Sequence, residues 1–170
     1  MTGKVTVRRA RTSDVPAIRR LVDHYRTDGR LLDKATVTLY EDVPEFRVAV
    51  LDDAVVGCGA LHVLWHDLGE IRTLAVDPAQ RGKGIGDAVL DRLVHDAVDL
   101  GLQRLFCLTF ETRFFARHGF GLIDGTPVTA EVYDELRKSY DEGVAEFLEL
   151  ERVKPNILGN SRMLLRLADL

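Results

Sequence analysis

The densest run of potential chemistry in the sequence is Gln80-Arg81-Gly82-Lys83-Gly84-Ile85-Gly86. Three glycines in five positions let backbone N–H groups turn toward one point and let a ligand approach the main chain closely. An amphipathic helix beginning near Gly84 adds free N–H donors and partial positive charge. Arg81 and Lys83 add full charges. Such a loop suits an anion, and a pyrophosphate in particular. It is not a dinucleotide fingerprint, because counting G-x-G-x-x-G from Gly84 puts Val89 at the third glycine. Nor is it a P-loop, because Gly82-Lys83 is followed by Gly84 rather than Ser or Thr. Glu70 opens the strand that leads into the loop. By itself, a glutamate at a strand end reads as a solvated charge. Cys107 lies in the apolar stretch Leu105–Leu108, where a small core thiol fits better than an acyl-accepting nucleophile. His62 and His66 are ~13 Å apart if the strand continues, too far to share one ion, and no carboxylate–histidine cluster completes a site. No metal is expected.

The elements that must position these groups follow from pattern. Lys4–Arg8 alternates apolar and polar residues as a first strand. Thr12-Ser13-Asp14 with Pro16 marks a helix start, carried on by Ala17, Ile18, Leu21, Val22 and Tyr25 to Gly29. Lys34–Asp42 reads as a second short helix. Phe46–Leu51 and Ala54–Leu64 form a hairpin about Asp52-Asp53. Asp67-Leu68-Gly69 reads as a break, and Glu70–Val76 as the next strand. Gly84–Leu100 carries an apolar stripe of Ile85, Val89, Leu90, Leu93, Val94 and Ala97, and Gly101 closes it. Leu105–Phe110 is a strand, so the strand–loop–helix–strand unit implies a parallel crossover. Thr112–His118, Thr129–Ser139 and Val144–Leu150 read as helices. Phe120–Ile123 and Arg162–Leu167 read as strands. The expectation is an α+β fold, with a mixed, mostly antiparallel sheet of about six or seven strands and flanking helices.

Composition narrows the classes. The 170 residues, 46% hydrophobic and 29% charged, suit one domain spanning residues 1–170 with its own core. Two cysteines are too few for a disulfide framework. The apolar stretch Ala54–Trp65 is too short to span a bilayer, and MTGKVTVRRART has no apolar run after its charges. A net charge of −4 disfavours a nucleic-acid binder held by phosphates. The expectation is a cytoplasmic protein acting on a small molecule, without nucleic acid or membrane; a homodimer stays open.

Arg81-x-x-Gly84-x-Gly86 after Leu74-Ala75-Val76-Asp77-Pro78 resembles the acetyl-CoA pyrophosphate loop of the GNAT superfamily of N-acetyltransferases. The order of elements is similar from about Val5 to Leu167, and Phe114-Phe115-Ala116-Arg117-His118-Gly119-Phe120 resembles the family's helix followed by a GF pair. The resemblance implies acetyl-CoA as cosubstrate and a splayed central strand pair. It implies cofactor contacts from Leu74, Ala75, Val76, Arg81, Gly82, Lys83, Gly84, Ile85, Gly86 and Phe115. Glu70 matches the position of a glutamate general base in many members. A strand N–H near Leu74 is implied as donor to the developing oxyanion. The family's tyrosine acid falls on Phe115, which departs from the pattern; Tyr40, Tyr133, Tyr140, Ser161 or water are the alternatives.

A finer resemblance runs to the acetyltransferase domain of the N-acetylglutamate synthases, and in particular to their short stand-alone actinobacterial form. It is carried by Gly29-Arg30-Leu31-Leu32-Asp33-Lys34, Gly69-Glu70-Ile71-Arg72, Leu105-Phe106-Cys107-Leu108-Thr109 and the stretch from Lys154 to Leu165. The longer synthases have an amino-acid-kinase-like domain before this one. The resemblance implies transfer of acetyl to the α-amine of L-glutamate, the first step of arginine biosynthesis. Lys34, Lys154, Ser161 and Arg162 stand where the acceptor's carboxylates are held. The family's Leu-Val-Arg-Arg becomes Leu31-Leu32-Asp33-Lys34 and its Arg-Asn-Ser-Lys becomes Gly159-Asn160-Ser161-Arg162, so glutamine is also a candidate acceptor. Two other readings stay open: a GNAT enzyme for a protein lysine or other small amine, and a non-catalytic acetyl-CoA-binding regulatory module, which Phe115 favours and Glu70 opposes.

Overall fold

The two β-rich runs before the glycine loop pair about a turn of only two residues. A computed structural model describes residues 3–26, 34–150 and 160–170. Strand β1 (Thr6–Arg9) lies antiparallel to β2 (Phe46–Leu51), which lies antiparallel to β3 (Ala54–Trp65). Asp52 and Asp53 join β2 to β3 with φ of 49° and 64°. Two left-handed residues give the turn a twist that matches its strands, and Asp tolerates that conformation. With β4 (Leu68–Val76), β5 (Arg104–Thr109), β6 (Gly121–Ile123) and β7 (Ser161–Arg166), the order is β1-β2-β3-β4-β5-β7-β6. β4 runs parallel to β5, with Leu68, Gly69 and Glu70 opposite Arg104, Leu105 and Phe106. β7 is antiparallel to both β5 and β6. This is the mixed, mostly antiparallel seven-stranded sheet of an α+β protein.

The expected break at Asp67-Leu68-Gly69 is corrected. The turn is confined to His66 and Asp67, and β4 already begins at Leu68. Leu68 is fully buried among Leu64, Phe106 and Phe147, and the Asp67 carbonyl accepts the N–H groups of Gln103 and Arg104. Burial and pairing outweigh the local preference of Gly69 for a turn. Helix ends shift where caps decide them. Helices α1 (Val15–Arg26) and α2 (Thr36–Glu41) precede the hairpin, and α3 (Ile85–Asp99), α4 (Thr112–Arg117), α5 (Ala130–Leu136) and α6 (Glu142–Phe147) follow it. The Thr129 hydroxyl accepts from the Val132 N–H, which makes Thr129 a cap rather than the first turn of α5. Asp141 likewise caps α6 through the Val144 N–H, so α6 starts two residues before the expected Val144.

The chain divides into two compact units: Met1–His62 with Ile71–Gly101, and Val63–Glu70 with Leu102–Leu170. The first packs Val15, Ile18, Leu39, Phe46, Val48 and Cys58 into its core. In it, Gly59 of β3 admits α3. A Cβ there would stand 2.9 Å from a Leu93 methyl and 3.0 Å from one of Val89. The Arg47 guanidinium holds both carboxylate oxygens of Asp96, at 2.7 and 2.9 Å, tying β2 to the same helix. The second unit centres on Leu64, Leu68, Phe106, Leu136, Val144, Phe147 and Leu148.

Candidate functional site

In the first unit, β4 leads into the glycine loop. At Thr73 the strand turns left-handed, with φ 55°, a conformation a β-branched residue adopts only when its surroundings hold it there. The Cys58 thiol donates to the Thr73 carbonyl at 3.5 Å, and burial pushes that thiol's pKa up to about 12. Leu74 follows, half-buried, then buried Ala75 and half-buried Val76. Beyond them the Asp77 N–H donates to the Val56 carbonyl at 2.8 Å. The Asp77 carboxylate caps the next turn through the Ala79 N–H at 3.0 Å.

Arg81, Gly82, Lys83 and Gly84 are exposed. Gly82 and Gly84 have φ of 78° and 74°, and a Cβ on either would meet no atom within 4 Å. The glycines therefore serve backbone conformation and leave an open face above it. Gly84 is the N-cap of the 15-residue α3, and no side chain caps that end. The first N–H groups of α3 and the helix dipole thus suit an anion. The Ile85 side chain points into the core, 2% exposed, so only its main chain can serve a ligand. Lys83 Nζ donates to Gln80 Oε1 at 2.6 Å. The geometry fits a pyrophosphate: an open glycine cradle, an uncapped helix N-terminus and two cations.

The second unit gathers a different set. Glu70, 4% exposed, stands opposite Phe106. The Arg162 guanidinium lies over the Phe106 ring at 4.8 Å and near the Phe147 ring at 5.8 Å. The two rings meet edge to face at 4.8 Å. Arg162 Nε donates to the Gly125 carbonyl at 2.9 Å, Nη2 donates to the Phe147 carbonyl, and Nη1 lies 3.9 Å from Glu149. Burial lowers the Arg162 pKa, against the opposing pull of the Glu149, Glu70 and Glu146 charges. Cys107, 1% exposed, has its thiol pushed well up by burial and by the Glu70 charge, as a core thiol should. Glu70 and Arg162 thus share a region, and Ser161 precedes Arg162 on β7, half-buried.

Phe115 is buried and packs edge to face on Phe114 and Phe120. The alternative acids fare unequally. Tyr133 donates its hydroxyl proton to the Leu148 carbonyl at 3.0 Å, Tyr140 is 97% exposed and Tyr40 46% exposed. In the first unit, Lys34 Nζ lies 3.9 Å from Asp42, and the Lys34 carbonyl accepts from Arg19 Nη1. Lys154 lies outside the described residues. His62 Nδ1 pairs with Glu45 Oε1 at 2.8 Å. Among the described residues no three His, Cys, Asp or Glu groups are placed to hold a metal, and no helix is long and apolar enough to cross a membrane. The aromatic seat and carbonyl clamp of Arg162 went unread in the sequence. Its partners Gly125 and Phe147 lie 37 and 15 residues away, and nothing local marks either.

Comparison with known proteins follows the same lines. The acetyltransferase (GNAT) family profile matches residues 15–120, passing through both units. An amino-acid acetyltransferase of Mycobacterium tuberculosis is 71% identical over 163 residues, covering 94% of this chain and 92% of its own. The crystal structure of Rv2747 from that organism, in complex with CoA and NLQ, has a TM-score of 0.91 at 70% identity, covering 95% of this chain and 98% of that one. N-acetylglutamate synthase from Neisseria gonorrhoeae, complexed with coenzyme A and N-acetyl-glutamate, has a TM-score of 0.77 at 26% identity, covering 96% of this chain and 35% of that one. By profile, identity and fold together, the chain belongs to the GNAT family of acetyltransferases, among the amino-acid acetyltransferases.

Proposed function

We propose that this chain moves the acetyl group of acetyl-CoA to the α-amine of L-glutamate or L-glutamine, the opening step of arginine biosynthesis, as one cytoplasmic acetyltransferase domain spanning residues 1–170. The observation that carries the reading is the loop itself. An open glycine cradle stands at the uncapped N-terminus of α3, where a pyrophosphate gains N–H donors and positive charge at once. The identity to an amino-acid acetyltransferase supports the acceptor class. The buried, unbridged thiols Cys58 and Cys107 agree with a reducing compartment.

Bound acetyl-CoA supplies an activated thioester. The chain's own groups do the rest. The Arg81–Gly86 amides, with Arg81 and Lys83, hold the pyrophosphate, and the main chain of Leu74–Val76 lines the arm beyond it. Glu70, directly or through water, takes the proton that the acceptor's ammonium must lose before it can attack. The Leu74 N–H, next to left-handed Thr73, donates to the carbonyl oxygen as charge develops there. Phe115, packed on Phe114 and Phe120, has no proton to give, so Ser161 or water protonates the departing thiolate. Lys34, Lys154, Ser161 and Arg162 hold the acceptor's carboxylates. Arg162 has five N–H donors. Two are committed to the Gly125 and Phe147 carbonyls, which fix the plane of the rest for a carboxylate.

Thiol release from acetyl-CoA, measured across free amino acids, a lysine peptide and an arylalkylamine, tests the reading. Turnover confined to L-glutamate and L-glutamine is expected. Turnover with the peptide or the arylamine alone would leave only the family assignment standing.

A further inference from the structure

The peptide unit at the mouth of the glycine loop is clamped from both ends. Its carbonyl belongs to Val76, the last residue of β4, and its N–H to Asp77. The Asp77 N–H donates to the Val56 carbonyl of β3 at 2.8 Å. On the other side, the Tyr25 hydroxyl, from the last turn of α1, donates to the Val76 carbonyl at 2.8 Å. Tyr25 is half-buried, its ring packed on the core of the first unit and edge to face with His24. Five residues after this peptide comes left-handed Gly82, and two further on Gly84. The far end of the loop is pinned by Ile85, buried at 2% exposure, whose methyl lies 2.7 Å from the place a Cβ on Gly57 would take. The exposed span Arg81–Gly84 therefore hangs between two fixed points, and one of them depends on the hydroxyl of a residue 51 positions earlier.

We infer that Tyr25 is a positioning residue for the pyrophosphate loop, acting through the Val76 carbonyl on the direction in which the loop amides point. The inference rests on the acetyl-CoA reading of that loop. A peptide plane held at one end only can rotate, and a small rotation at the loop's base swings the amides beyond it. Anion binding by several N–H groups depends on their converging on one point. The Tyr25 hydroxyl is engaged by the Val76 carbonyl, so its loss should act on donor affinity and leave the acceptor untouched.

Tyr25→Phe keeps the ring and its packing and removes only the hydroxyl. Acetyl-CoA affinity is read by calorimetry, with no acceptor present, for wild type and variant. Turnover is then compared for acetyl-CoA and for S-acetylpantetheine, a donor without pyrophosphate. The expected result is a dissociation constant for acetyl-CoA raised about three- to ten-fold, in the range one lost hydrogen bond gives. Acceptor KM should hold, and S-acetylpantetheine, which lacks the pyrophosphate, should lose less than acetyl-CoA. Equal acetyl-CoA affinity in the two proteins would overturn the role of Tyr25, as would an equal loss with both donors, which marks general damage. Wild-type protein that does not bind acetyl-CoA would overturn the loop reading and this inference with it.

Discussion

Gly84→Val separates two effects that a single glycine usually confounds. Gly84 sits at φ 74°, and a Cβ there meets nothing within 4 Å. A Cβ at this position therefore meets no neighbouring element. The cost to stability is the left-handed backbone alone, about 1–2 kcal/mol for a residue with a side chain. For a chain of this length that lowers Tm by about 2–8 °C, which leaves the protein folded at room temperature. The isopropyl group instead fills the open face above the loop, where a pyrophosphate would meet the α3 N–H groups. Losing one hydrogen bond to a charged oxygen costs about 1.5–3 kcal/mol, or about 10- to 150-fold in acetyl-CoA affinity. Calorimetry with acetyl-CoA and a thermal melt on the same sample read both numbers. A folded Gly84→Val protein with wild-type affinity would refute the placement of the pyrophosphate. Gly84→Ala should lose a similar Tm and a smaller part of the affinity, because a methyl group obstructs less.

Three further outcomes follow from other residues. Glu70→Gln keeps the shape and removes the base; kcat should fall about 10²–10⁴-fold at neutral pH, with the deficit shrinking as rising pH deprotonates the free amine, and a flat deficit across pH would make Glu70 structural. Cys58 and Cys107 are buried with raised thiol pKa values, so a thiol reagent at pH 8 should find almost none in the native protein and two after denaturation; rapid native labelling would show the core to be more open than described. The Arg8 guanidinium, donating to the carboxylate at 2.7 and 3.1 Å, holds the Asp14 pKa below its ordinary value. That stabilisation is present above the unfolded carboxylate's pKa and is lost as pH falls through the lower folded value. Asp14→Ala should therefore cost about 1.5 kcal/mol at neutral pH, the low end for a charged hydrogen bond because Arg8 is a third exposed. The gap from wild type should narrow as pH falls through the lower folded value, and a gap with no pH dependence would assign the loss to packing.

What could be read in advance depended on how local its cause was. The Asp52-Asp53 hairpin and the Gly82–Gly84 loop are each dictated by a few adjacent residues, so their types were enough. Gly69 misled for the same reason. As a neighbour of Asp67 it reads as a turn, whereas the burial of Leu68 against residues far along the chain draws it into β4. The left-handed Thr73 gave no signal at all, since threonine ordinarily favours regular strands. Arg162 was found by its place in a motif, but its seat on Phe106 and Phe147 and its grip on two carbonyls arise from β7, α6 and a turn folding together.

The most direct test of the central claim is a competition in one vessel. L-glutamate, L-glutamine and a lysine peptide, each in equal amount, are incubated with acetyl-CoA and the purified protein, and the acetylated products are identified by mass spectrometry. The account predicts acetyl on the α-nitrogen of glutamate or glutamine, growing in step with CoA and slowed by Gly84→Val at limiting acetyl-CoA. Acetyl found on the lysine peptide, with both free amino acids unmodified, would contradict it.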